Sequence, residues 1–132
     1  PSEWVGKRLD AQEVPLLLDR RTLKVNPNAG RMHVVFIRED CEHCHEVLEK
    51  YFSLPKLDTP TLLVVVPDAT GTTLDNPCVD CSKASLLKGP IWMFTTPLVL
   101  TVEDGVVLAG IDATKADDPE AVRAVLNARK TP

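Results

Sequence analysis

The 132-residue sequence carries 15 Lys plus Arg against 19 Asp plus Glu, a formal net charge of −4. That length suits one domain with a single core, and the mild acidity gives no reason to expect nucleic acid or anionic lipid as a partner. No basic cluster or long apolar run appears, so neither a secretory signal nor a membrane span is expected within these residues.

The opening segment places Val14-Pro15-Leu16-Leu17-Leu18 and Thr22-Leu23-Lys24-Val25 on either side of the polar Asp19-Arg20-Arg21. Two short β-prone runs around a polar turn predict a hairpin, with Pro15 confined to an edge. Asn26-Pro27-Asn28-Ala29-Gly30 then reads as a turn-rich linker. Residues 1–30 are therefore expected to form an extension of the domain that occupies 31–132.

The run His33 to Ile37 is too short for a helix and rich in β-branched and aromatic residues, which predicts a buried strand. From Cys44 the period changes. Cys44, Val47, Leu48, Tyr51 and Phe52 fall on one stripe of an amphipathic helix, and Asp40 has the chemistry of its N-cap. Cys41 then belongs to the first turn, where unpaired N–H groups and the positive end of the helix dipole favour a thiolate. Cys44, on the stripe, faces inward. An exposed first sulfur and a sheltered second one are what thiol–disulfide exchange requires, the first attacking and the second resolving the mixed disulfide.

Leu54-Pro55 ends the helical pattern. Thr61 to Val66 is apolar at nearly every position, as in a parallel strand buried on both faces. Asn76 as cap, Pro77 at the first helical position and Lys88-Gly89-Pro90 as a stop predict a second helix over 77–88, with Cys78 in its first turn and Cys81 one turn on. If the strands ending at Ile37 and Val66 are parallel, both cysteine pairs open on the same end of the sheet. Further on, Leu98 to Val102, the turn Glu103-Asp104-Gly105 and Val106 to Ile111 predict two strands. Asp118 caps a final helix from Pro119 to about Arg129, with Val122, Val125 and Leu126 buried.

The strand, the Cys-Glu-His-Cys pair and the helix, together with Thr96-Pro97 before the strand 98–102, resemble the thioredoxin-like superfamily. The resemblance covers roughly residues 31 to 130. It implies an α/β thioredoxin-like fold: a central mixed β-sheet flanked by helices, here with an N-terminal β-hairpin extension and an insertion before the cis-Pro loop. It further implies a thiol–disulfide oxidoreductase, with Cys41 as nucleophile, Cys44 as resolving thiol, and Thr96 and a cis Pro97 shaping the surface that receives a partner's cysteine segment. Trp4-Val5-Gly6-Lys7 ahead of the hairpin resembles the start of membrane-tethered, extracytoplasmic members, which makes an extracytoplasmic or periplasmic location the expectation. The alternative reading of 1–30 is an extension that covers a sheet edge.

Glu42 and His43 are the expected redox-tuning residues. The pattern resembles that of disulfide-forming members, where the histidine stabilises the attacking thiolate and makes the disulfide more oxidising. Glu39, Asp40 and Glu42 oppose it by like charge, which leaves both directions of electron flow compatible with the sequence. Two features of minimal thioredoxins are replaced: Asp40 stands for the tryptophan before the first cysteine, and Val35 for the buried aspartate of the central strand. Glu42, His43 or water must then accept the Cys44 proton.

Expected partners are protein thiols and disulfides, presented by a membrane or soluble redox protein, with the chain itself a monomer. No metal and no cofactor beyond the redox-active disulfide is expected. Cys78 and Cys81 read equally as a second redox pair or a structural disulfide. A competing function is a zinc- or copper-binding module in which Cys41, Cys44, Cys78 and Cys81, with His43 or His45, supply the ligands. A thioredoxin-like binding domain with spent cysteines is the third. His45 reads as a solvated helix residue and His33 as an incidental strand-end residue, while Trp92, Met93 and Phe94 read as core or as a partner surface.

Overall fold

The computed structural model describes residues 5–6, 18–19, 30–38, 42–52, 59–65, 82–86 and 96–128. In chain order these form β1 (Leu18–Asp19), β2 (Arg31–Ile37), α1 (Glu42–Phe52), β3 (Thr61–Val65), β4 (Ser82–Leu86), β5 (Leu98–Glu103), β6 (Val106–Ile111) and α2 (Pro119–Leu126). The strands make one mixed sheet in the order β1-β4-β3-β2-β5-β6. Strands β2, β3 and β4 run parallel, whereas β5 is antiparallel to β2, β6 to β5, and β1 to β4. A mixed α/β sheet with helices is what the sequence predicted.

Strand β2 is central because every residue from Met32 to Ile37 is buried, which demands cover on both faces. Its side chains alternate. Val35 and Ile37 pack with Cys44, Val47, Leu48 and Phe52 of α1 and with Val122 and Val125 of α2. Met32, Val34 and Phe36 join Leu62, Val64 and Leu100 in a second cluster on the opposite face, to which neither helix contributes. Each such side chain contributes about 1.5–3 kcal/mol when fully buried. Burial therefore outweighs the propensities of two short helices, which are marginal by themselves.

Both helices run antiparallel to β2. Cys44 packs with Ile37 near the finish of β2, and eight residues on the Phe52 ring meets His33 edge-on, with centroids 6.1 Å apart. Asp118 caps α2 by accepting a bond from the Glu120 N–H at 3.0 Å, and Pro119 occupies the first turn. At the other end of α2, the Leu126 carbonyl accepts from Arg31 Nη2 at 2.9 Å and the Val125 carbonyl accepts from Thr101 Oγ1 at 2.7 Å. Residues of β2 and β5 thus add side-chain donors to the carbonyls of the last turn, where the Val125 carbonyl also accepts from the Ala128 N–H at 3.2 Å. The β5–β6 turn places Asp104 and Gly105 at φ +50° and +85°, and Asp104 Oδ1 accepts from the Gly30 N–H. This conformation suits aspartate and glycine because their own local bonding or lack of a Cβ tolerates it.

Three expectations change. The helix over 77–88 is overturned across 82–86, which form β4, paired in register Leu62↔Ser82 to Val65↔Ser85 with β3. The capping signals at Asn76-Pro77 and Lys88-Gly89 flank a segment that completes ladder bonds on β3; pairing to an existing strand prevailed over local helix signals. Asp19, expected in a turn, lies in β1 and pairs with Ser85. That agrees with an extension covering a sheet edge, and the Gly6 N–H donates to the Val107 carbonyl at 2.8 Å on the other side of the sheet. The returning strand of the predicted hairpin, and Trp92, Met93 and Phe94, lie outside the described residues. His33, finally, is no incidental strand-end residue: it is buried against Phe52.

Candidate functional site

Parallel β2 and β3 finish at one end of the sheet, at Ile37 and Val65, and the β5 strand starts there at Leu98, opposite Phe36. Five residues past Ile37, α1 begins, and β6 finishes at Ile111 to feed the turn that leads into α2. The starts of both helices therefore gather at this end. Their unpaired N–H groups and dipoles give it a positive local field.

Cys44 lies in the first turn of α1. It is disulfide-bonded and 1% exposed, packed with Val35, Ile37, Val47 and Val99 among others. Such an apolar lining favours the uncharged forms of sulfur, disulfide or thiol. The helical stripe read from the sequence sets this placement, and Val47, Leu48 and Phe52 are buried along it with Tyr51 packed at its margin. Cys41 and Asp40 lie outside the described residues, as do Cys78 and Cys81.

The Thr96-Pro97 peptide is cis, as the resemblance implies. Pro97 is buried and Thr96 partly exposed. Arg38, the residue after β2, donates from Nη1 to Thr96 Oγ1 at 3.4 Å, tying this loop to the end of β2 from which the Cys-x-x-Cys segment departs.

Glu42 opens α1 as the acidic residue of its first turn. His43, 27% exposed, turns its Nε2 to Asp117 Oδ1 at 2.8 Å. An open groove of about 80 Å³ runs beside this contact, lined by His43, Glu46, Lys50, Tyr51 and Asp117 among others. Asp117 belongs to the turn between β6 and α2, whose shape is held by local bonds. Asp112 Oδ1 accepts from the Thr114 hydroxyl at 2.6 Å and from its N–H at 3.0 Å. The Asp118 N–H bonds the Lys115 carbonyl, and Ala116 is buried in the core. The hydroxyl of Thr114 holds the Asp112 carboxyl below its ordinary titration range against the opposing effect of burial, and the Thr114 backbone N–H adds to the lowering. His45 pairs loosely with Glu49 one turn on, at 3.7 Å, as a solvated helix residue does.

Neither Asp117 nor Arg38 stood out in the sequence. Nothing in the spacing links them to His43 and Thr96, and only the sheet order brings these residues to one end.

The expectation that both cysteine pairs open on this end falls on Cys41, Cys78 and Cys81, which lie outside the described residues. It required a helix to start over Cys78 from the finish of β3, whereas Ser82, the residue after Cys81, pairs with Leu62 near the start of β3. Along the strand direction that is three residues, about 10 Å, back from the level of Ile37. Three of the four thiolates of the metal reading, Cys41, Cys78 and Cys81, lie outside the described residues. Among the described residues no three His, Cys, Asp or Glu side chains converge as a metal site would need, and no helix is long and apolar enough to cross a membrane.

Neither the scan of protein-family models nor the search of curated proteins finds a match to this chain.

Proposed function

We propose that the chain is a thioredoxin-like thiol–disulfide oxidoreductase acting on protein thiols and disulfides through Cys41 and Cys44. The observation that carries this reading is a buried, disulfide-bonded Cys44 in the first turn of the helix that follows the central strand, with the Thr96-Pro97 loop tied to the end of that strand. The order β3-β2-β5-β6, parallel then antiparallel, adds support, since it suits a thioredoxin-like core.

In the reducing direction, the Cys41 thiolate attacks one sulfur of a partner disulfide. The partner's S–S bond breaks, a mixed disulfide forms, and the first partner sulfur leaves with the electron pair and takes a proton. Cys44 then loses its proton and attacks the Cys41 sulfur, so the mixed disulfide breaks and the second partner thiol departs. Two electrons have passed to the partner, and Cys41 and Cys44 end as a disulfide. The oxidising direction is the reverse.

Val35, fully buried, leaves the central strand without a carboxylate to accept the Cys44 proton. Glu42, water, or the imidazole of His43, next to Cys44 in the chain, takes that role. Thr96 and Pro97 present the edge against which the partner's extended segment lies.

The test is substitution at each sulfur. In an insulin-reduction or refolding assay, Cys41→Ser abolishes turnover, while Cys44→Ser accumulates mixed disulfides that resolve on a non-reducing gel. Turnover retained by Cys41→Ser rules out the assignment.

A further inference from the structure

We propose that Asp117 is a positioning residue for the chemistry of the Cys41/Cys44 pair: it holds the His43 imidazole on the α2 side and restrains the positive charge that would otherwise stabilise the Cys41 thiolate. This deepens the thiol–disulfide reading and rests on it.

His43 is one of the two residues enclosed by the Cys-x-x-Cys pair, so its position and charge bear on both sulfurs. Its Nε2, itself out of reach of solvent, rests 2.8 Å from Asp117 Oδ1 without the alignment of a hydrogen bond, so the contact acts through charge at close range whenever the ring is protonated. Asp117 is set by structure on both sides: Ala116 is anchored in the core, and Asp118 caps α2. The carboxylate is therefore presented at a defined place, although it is itself 82% exposed. An exposed pair of this kind contributes at most about 1 kcal/mol to folding, so its removal leaves the fold intact.

The two anions compete for one imidazolium. Asp117 neutralises the charge of His43 and adds a negative charge of its own, and both effects disfavour a nearby thiolate. Among the described residues, the other titratable groups lining the groove beside the imidazole are Glu46, Lys50 and Tyr51, and Glu42 precedes it in the chain, all on α1. They are unchanged by a substitution at Asp117.

The equilibrium to be measured balances as one protein disulfide plus two molecules of glutathione giving the Cys41/Cys44 dithiol plus one glutathione disulfide. The protein S–S bond breaks, the glutathione S–S bond forms, and two electrons and two protons pass to the protein. Asp117→Asn shifts this equilibrium about threefold toward the reduced protein and moves the pH midpoint of Cys41 alkylation by iodoacetamide downward, the size expected of a partly exposed charge pair.

In a His43→Asn background the same substitution has less than half that effect. A role of Asp117 in holding the loop alone would move thermal stability and leave the alkylation midpoint in place. An unchanged midpoint in Asp117→Asn, or an equal shift with and without His43, overturns the assignment of Asp117 in a chain that equilibrates with glutathione. A wild-type chain whose Cys44 disulfide never equilibrates overturns the redox reading itself, and Asp117's role with it.

Discussion

Where β2 begins, His33 is 8% exposed and its Nδ1 lies 2.9 Å from Thr101 Oγ1, which in turn bonds the Val125 carbonyl at 2.7 Å. Where β2 finishes, His43 is 27% exposed and faces a carboxylate that is almost wholly in water. The Thr101 hydroxyl has a single proton and donates it to Val125, so it must accept from a protonated Nδ1 of His33. The first histidine thus has its tautomer dictated by a closed chain of bonds joining β2, β5 and α2. The second holds one partner that solvent also reaches. The lesson is a division of labour along the strand: one end locks the helices to the sheet, and the other carries an ion pair whose carboxylate stands in water.

Removing Phe52 is the strongest way to break this contrast. Phe52→Ala empties a buried site beneath His33 and costs about 3–5 kcal/mol, read as a fall in the urea midpoint. The disulfide-exchange rate per folded molecule stays near that of the parent. A rate that collapses together with stability, under conditions where the variant is folded, shows that the two ends are not separable.

Thr101→Val is the finer cut. Shape is conserved, but the buried His33 ring loses the Thr101 hydroxyl and the Val125 carbonyl keeps only its backbone donors, a cost of about 2 kcal/mol. Hydrogen exchange in α2 accelerates while the Cys41 alkylation midpoint holds. If Thr101→Ser, which keeps the hydroxyl, is as unstable as the valine variant, the bond relay is not what secures the helix.

The smallest effect lies in the turn that presents Asp117. Thr114 holds the Asp112 carboxyl below its ordinary range. A depressed carboxyl stabilises the fold above its unfolded titration point and loses that contribution as pH falls through the folded one. The turn therefore loosens only in acid, below the usual aspartate range. An NMR titration of Asp112 shows this directly, and Thr114→Val, which keeps the backbone N–H, raises the midpoint toward the ordinary value. A midpoint unmoved by Thr114→Val refutes the hydroxyl's part.

Much of the core was legible because periodicity reports burial. The all-apolar Leu62 to Val65 run, the short apolar run of β2 and the stripe Cys44, Val47, Leu48 and Phe52 each have one efficient way to leave water, and the Asp118-Pro119 start of α2 follows from backbone bonding alone. Ser82-Lys83-Ala84-Ser85-Leu86 was misread for the opposite reason. Its alternation is limited to Ala84 and Leu86 against Lys83 and Ser85, too short to stand against the flanking cap signals, and the pairing that makes it a strand comes from β3 and β1 on either side.

From its own residues the chain determined that a cysteine would be buried at the start of an amphipathic helix behind a hydrophobic strand, because spacing and polarity decide which side of a helix meets the core. Only the tertiary structure decided what stands near that cysteine. Asp117 meets His43, and Arg38 meets Thr96, because antiparallel pairing of β5 and β6 with β2 returns distant segments to the end where β2 finishes. Contacts of that kind depend on strand order and register, which no local pattern encodes.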